Sequence, residues 1–358
     1  MEGLPEGYLL RQASPGDVAA AQEVLDAAES ADCGEPRRHE TSLAREFRDP
    51  RVDPARDVWV VAPPAAPRPG LVVSRPSAAA PLAAVAMVWP PHAGGEIPND
   101  QYVHPDHRGR GLCAALLAVV EERATELAGA LAPGVTGRLV TWCEPTSEEC
   151  FAALKARGFA RTREYFEMRI DLGGDPATDA LPAVAPPAAA LVPGPPATLA
   201  RPQWAEGITA RPLRVGRDEP ALYIADVEAF AEHHMVEQRT YAEWHLRHID
   251  RPDFDPGLWL VAWDGDEIAG YVAAFVADDG GLVDDLAVRR AWRRRGVGLA
   301  LLHEEFRALS ARNVGVVRLF VDAQNVTGAA RLYERAGMRV SRRFEVLEKK
   351  LVRSPRGS

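Results

Sequence analysis

The sequence predicts an α+β protein made of two tandem copies of one plan, each a mixed, mostly antiparallel sheet flanked by helices. Three observations carry this. First, "VHPDHRGRGLCAALLAVVEE" (residues 103–122) and "VRRAWRRRGVGLALLHEE" (residues 288–305) are an internal repeat: a valine stands five positions before an arginine, Arg108 or Arg293, which opens R-x-x-G before a helical apolar pattern. Second, the flanks repeat as well. Upstream, "DPARDVWVVA" echoes "DPGLWLVAWDG", and downstream "CFAALKARGF" echoes "ARLYERAGM". Third, short apolar runs closed by turn residues alternate with segments of helical period, which is the signature of a sheet covered by helices.

In the second copy, residues 208–213 read as a short strand and residues 222–232 and 241–249 as helices. Residues 259–263 and 268–276 are apolar runs separated by Asp264-Gly265, a strong hairpin signal. Residues 282–288 form the next strand, leading into the arginine-glycine turn and a helix that runs to about Ala311. A strand over 316–322, a helix over 328–335 and a last strand over 344–351 complete the copy. The first copy occupies residues 1–172 and the second 207–352, with a Pro/Ala-rich linker over 173–206. A low-complexity run over 63–81 falls where the first copy needs a hairpin loop, and reads as a disordered insertion.

The 358 residues suffice for two cores. A net charge of −9, with 47% hydrophobic and 26% charged residues, fits a globular protein and argues against a general nucleic-acid binder. No stretch reads as membrane-spanning, the start lacks the features of a signal peptide, and a cytoplasmic location is expected. Cys33, Cys113, Cys143 and Cys150 form no CxxC pair and read as free thiols. His233, His234, His245 and His248 have no accompanying cysteine or tight carboxylate set, so no metal is expected; solvated helix positions are the plainer reading, with pocket-lining second. Trp244, Trp259 and Trp263 read as core.

The turn itself carries chemistry. Gly296 and Gly298 are expected to allow positive φ and close approach to the main chain. Free N–H groups at the helix start, with the helix dipole, make an anion site to which Arg293, Arg294 and Arg295 add charge. The motif is neither G-x-G-x-x-G nor a P-loop.

R-x-x-G-x-G after a valine-ended strand resembles the acyl-CoA-binding turn of the GNAT superfamily of N-acetyltransferases. "FVDAQNVTGAARLYERAGM" (residues 320–338) is similar to that family's next block. The resemblance spans both copies and implies acetyl-CoA as co-substrate, a small-molecule primary amine as acceptor, and no membrane or nucleic-acid partner. The chain is then a monomer, itself a pseudo-dimer, or a homodimer. It implies that Arg293, Arg294, Arg295, Gly296, Val297, Gly298, Leu299 and Ala300 grip the pyrophosphate. Asn325 contacts the pantetheine arm, and Tyr333 protonates the departing sulfur. Leu286, Ala287 and Val288 supply a backbone N–H for the oxyanion, at a bulge. The base is Asp284, which alternation places on the face of Leu282, with Asp285 second.

The first copy keeps Arg108, Gly109, Arg110 and Gly111, so phosphate binding there is conceivable. However, Gly298 corresponds to Cys113, Asn325 to Thr146 and Tyr333 to Leu154. Without the acid, this copy is expected to be structural or regulatory. Tandem architecture with an active second half is also similar to mycothiol synthases, which makes a cysteinyl amine on a glucosaminyl inositol an alternative acceptor. Natural-product amines, polyamines, protein N-termini and a non-catalytic acyl-CoA sensor stay open.

Overall fold

The computed structural model describes residues 4–34, 43, 47, 51–64, 81–92, 94–144, 146–173, 199–231, 240–251, 253–277, 280–324 and 328–351. Most of the linker and of the 63–81 run lie outside them. The described residues form two compact units, one comprising those up to Glu164 and from Arg343 onward, the other running from Tyr165 to Arg342.

In the first unit, β1 (Leu9–Gln12), β2 (Val58–Ala62), β3 (Ala84–Val88) and β4 (Glu96–Val103) pair antiparallel in sequence order. β5 (Arg138–Cys143) lies parallel to β4, and residues 345–350 of β12 (Arg339–Lys350) pair antiparallel with β5. The second unit repeats this order. β7 (Ile208–Pro212), β8 (Trp259–Asp264), β9 (Glu267–Ala277) and β10 (Gly280–Val288) are antiparallel, and β11 (Val316–Asp322) is parallel to β10. Residues 165–171 of β6 (Ala160–Asp171) close the sheet against β11. The last strand of each sheet thus comes from the other repeat, and unit borders fall inside β6 and β12 rather than at the repeat borders near 172 and 207. β12 starts at Arg339, ahead of the strand expected from residue 344.

Each sheet carries helices on both faces. In the first unit α1 (Val18–Cys33) covers one face and α2 (Leu112–Gly129) with α3 (Glu148–Ala156) the other. In the second unit α4 (Glu219–Phe230) and α5 (Tyr241–His248) cover one face, α6 (Val297–Ser310) and α7 (Ala329–Arg335) the other. Strand β8 shows the consequence: Trp259 and Val261 pack toward α4 and α5, Leu260 and Ala262 toward α6. Both faces are apolar, so the strand reads as a continuous hydrophobic run. The expected β8–β9 hairpin forms one residue later: Asp264 pairs with Glu267 across Gly265 and Asp266, and Gly265 has φ 61°. Leu301 and Leu302 are fully buried, and burial of about 1.5–3 kcal/mol per such side chain fixes α6, and with it the turn at its start, on the sheet.

Two irregularities position the site. The parallel pair β10–β11 is limited to Gly281↔Val317 and Leu282↔Arg318, after which the strands part. The β9–β10 register slips between Val283 and Asp285, leaving Asp284 as an extra residue, a β-bulge.

Candidate active site

The anion turn of the second unit lies between β10 and α6. Arg294 (φ 64°) and Gly296 (φ 83°) are both left-handed, and Gly296 caps α6. For a non-glycine residue such as Arg294 this conformation costs about 1–2 kcal/mol, a cost met at functional turns. Arg294, Arg295 and Gly296 are exposed at the helix start, where first-turn N–H groups and the helix dipole favour an anion. Arg295 lies 3.7 Å from Asp264.

Two expectations about this turn are corrected. Gly298 is not left-handed. It is buried in the first turn of α6, where an added Cβ would stand 3.2 Å from Leu332 and 3.5 Å from Val288, so it is small to let α6, α7 and β10 approach. Arg293 does not present its guanidinium to the turn. It donates to the Val288 carbonyl at 3.1 Å and the Ala229 carbonyl at 3.1 Å, tying the strand end to the end of α4. Val297, Leu299 and Ala300 form the first turn of α6, and Leu286, Ala287 and Val288 the end of β10.

The bulge decides between the aspartates. Pairing places Leu282 opposite Phe275, Asp285 opposite Ala273 and Ala287 opposite Tyr271. Because Asp284 is the extra residue, the alternation shifts by one, and Asp285, not Asp284, shares the face of Leu282 and Ala287. Asp284 is exposed and pairs with Arg251 at 3.2 Å, where Arg251 also holds Asp253 at 2.6 Å. The bulge also lies upstream of residues 286–288, where it was expected. What those residues have instead is a β11-facing edge without a strand partner among the described residues.

Around Asp285 the site is built from three elements. His248 of α5 is 5% exposed, between Trp244 and Trp259, with Nδ1 3.7 Å from the Asp285 carboxylate. Its i, i+4 spacing from the buried Trp244 puts it on the inner face of α5, so it is not the solvated position expected. Tyr271 of β9 is buried and donates its hydroxyl to Asp226 of α4. Burial first, then the charges of Asp285 and Asp226, holds the Tyr271 phenol well above its usual range. Tyr333 of α7 is buried in the opposite core. Burial first, then the Asp285 charge, pushes its phenol up to about 12. The Asp285 charge is thus among the causes that raise both phenols. Trp244 and Trp259 are core, as expected, while Trp263 is half-buried under the Arg211 guanidinium. His245 pairs with Asp250 at 3.0 Å. Asn325, His233 and His234 lie outside the described residues.

In the first unit the same turn is built differently. Gly109 (φ 74°) and Gly111 (φ 77°) match Arg294 and Gly296. Arg108 reaches the Val103 and Ala28 carbonyls, as Arg293 reaches Val288 and Ala229, and is further held by Asp32 at 2.7 Å and 2.9 Å. The N–H groups of Gly109 and Gly111 both donate to the Glu149 carboxylate, at 2.5 Å and 3.1 Å. Arg110 is exposed. Cys113 and Leu154 are fully buried in the apolar core. Cys143 is also buried, Cys150 is partly buried, and all three thiols are free. The sequence held signals for His248, in its spacing from Trp244, but none for the Glu149 contact, which joins residues some 40 positions apart.

A mixed sheet whose parallel pair parts beside a glycine-capped helix start, formed twice in one chain, defines a tandem transferase of the GNAT type. The comparisons agree. Residues 220–338 match the acetyltransferase (GNAT) family. A mycothiol acetyltransferase of Nocardiopsis dassonvillei is 32% identical over 258 residues, covering 68% of this chain and 72% of the relative. One of Frankia alni is 31% identical over 336 residues, covering 89% and 87%. A GCN5-related N-acetyltransferase from Sphaerobacter thermophilus superposes with a TM-score of 0.76 at 29% identity, covering 97% of this chain and 96% of that one. A tandem GNAT protein from the clavulanic acid biosynthesis pathway shares the fold, with a TM-score of 0.61 at 17% identity over 97% and 100% of the two chains. The chain belongs to the GNAT acetyltransferase family and is an acyltransferase. No helix among the described residues is long and apolar enough to cross a membrane.

Proposed function

We propose that the second unit transfers an acetyl group from acetyl-CoA to the primary amine of a small molecule. The first-turn N–H groups of α6, from Val297 to Ala300, with Gly296 and the exposed Arg294 and Arg295, take the pyrophosphate. Arg293 acts indirectly, by holding the turn against β10 and α4. The unpaired edge of Leu286, Ala287 and Val288 receives the pantetheine arm and offers an N–H to the oxyanion. Asn325 remains a candidate contact for that arm. Asp285 takes the proton of the attacking amine, the new C–N bond forms as the C–S bond breaks, and Tyr333 protonates the thiolate. Asp284 is held by Arg251 and has no part in the chemistry.

The observation that carries this reading is the exposed, glycine-capped start of α6 beside the end of β10, where β10 and β11 part. The relatives are named mycothiol acetyltransferases, which favours a cysteinyl amine of the mycothiol type as acceptor. The test is thiol release from acetyl-CoA against a panel holding cysteinyl-glucosaminyl-inositol, polyamines, aminoglycosides and peptide N-termini. Saturable release with one small-molecule amine supports the reading. Release with peptide N-termini alone, or with no amine despite bound acetyl-CoA, contradicts it.

A further inference from the structure

We infer that the first unit takes no acyl-CoA because its anion turn already holds an anion of its own, the Glu149 carboxylate, so that the chain binds one acyl-CoA, at the second unit. The inference rests on the reading of the second unit's turn given above. The two turns have the same backbone, left-handed at Gly109 and Gly111 and at Arg294 and Gly296. In both, the leading arginine ties the strand end to the preceding helix. Such a turn concentrates N–H groups on one point and favours negative charge there. In the first unit that point is filled: Gly109 and Gly111 each donate to Glu149, one oxygen apiece, as they would to two oxygens of a phosphate.

The matching position in the second unit offers no such carboxylate. Glu149 stands five residues before Leu154, and five residues before Tyr333 stands Gly328, exposed and without a side chain to offer. The groove leading from the first turn is hostile to a nucleotide as well. Asp32, Asp100, Glu144 and Glu148 line it, and Asp32 engages the Arg108 guanidinium. A pyrophosphate entering here must displace a tethered carboxylate and then sit among like charges.

The number of coenzyme A molecules bound per full-length chain, by calorimetry, tests this. The unaltered chain should bind one and Glu149→Ala two, the second more weakly. Two equivalents on the unaltered chain, or one on a folded Glu149→Ala chain, would overturn the inference. The converse exchange guards against misfolding of that variant. Gly328→Glu should weaken coenzyme A binding about tenfold or more relative to Gly328→Gln, about 1.4 kcal/mol, because both carry the same left-handed strain and only one carries charge. Equal affinities would count against the carboxylate as the excluding group. If the unaltered chain binds no coenzyme A, the reading of the second unit fails. Glu149 is then judged by hydrogen exchange at Gly109 and Gly111 with inorganic pyrophosphate: protection gained only in Glu149→Ala supports it, and none gained overturns it.

Discussion

The two units share a sheet order, a turn and a helix arrangement, and differ in a few side chains that decide what each can do. Eight residues before the leading arginine both carry an aspartate, Asp100 and Asp285. Opposite it only the second unit has a phenol, Tyr333, where the first has the fully buried Leu154. In the first unit the Gly109 and Gly111 N–H groups donate to Glu149, whereas in the second no side-chain acceptor for the Gly296 N–H stands among the described residues. The difference teaches that packing can keep the same turn geometry in two copies while a few side chains change what stands at the turn.

That contrast can be broken most sharply at Tyr333. Tyr333→Phe should lower kcat by about 10²–10⁴-fold with little change in acetyl-CoA affinity, the usual range for a positioned acid. The loss should shrink for a donor with a more acidic thiol. Turnover close to that of the unaltered protein would remove Tyr333 from the mechanism.

The paired aspartates come next. Asp285→Asn should reduce kcat about 10²-fold, whereas Asp284→Asn, at an exposed carboxylate paired with Arg251, should stay within about threefold. The reverse ranking would mean that the bulge does not set the catalytic face.

The pH profile adds a smaller effect. A raised phenol pKa extends the protonated, proton-donating form upward, so Tyr333 should cause no alkaline fall in kcat until the pH approaches about 12. An alkaline limb centred at an ordinary tyrosine value, and lost in Tyr333→Phe, would contradict this.

The smallest effect concerns stability. Twelve residues after the leading arginine the first unit has the buried Val120 and the second the buried Glu305, whose carboxylate oxygens have no hydrogen-bond partner among the described residues. Burial, only partly offset by Arg312 and reinforced by the charges of Asp255 and Glu304, raises its pKa well above the ordinary glutamate value. The folded state therefore holds a proton that the unfolded state releases. Its stability is complete below the ordinary glutamate range and declines as pH rises toward the folded pKa. Glu305→Met should remove that slope and stabilise by about 1–3 kcal/mol at neutral pH, seen as a higher Tm. An unchanged slope between pH 5 and 8 would place the carboxyl in contact with water.

Much of this was legible in the sequence. The repeat, the helix starts and the strand pattern follow from periodicity, because apolar faces must pack wherever the chain goes. Asp285 was not legible as the inward carboxylate, since one bulged residue reverses alternation and is set by pairing with β9. Gly298 looked like a turn glycine, but its size matters through contacts with Leu332 and Val288. The exchange of last strands was hidden because both repeats carry equivalent strands, and periodicity cannot say which sheet each joins. Arg293 reads as an anion ligand in one dimension, and only the positions of two carbonyls show otherwise.

The most direct measurement of the division between the units is a paired one, with coenzyme A affinity and turnover read on Gly296→Val and Gly111→Val, each checked for folding by its melting curve. Both changes force a β-branched residue into a left-handed position at the start of a helix. Gly296→Val should lose cofactor binding and turnover together, while Gly111→Val keeps both. Full turnover in Gly296→Val, or loss of turnover in a folded Gly111→Val chain, would contradict the assignment of the chemistry to the second unit.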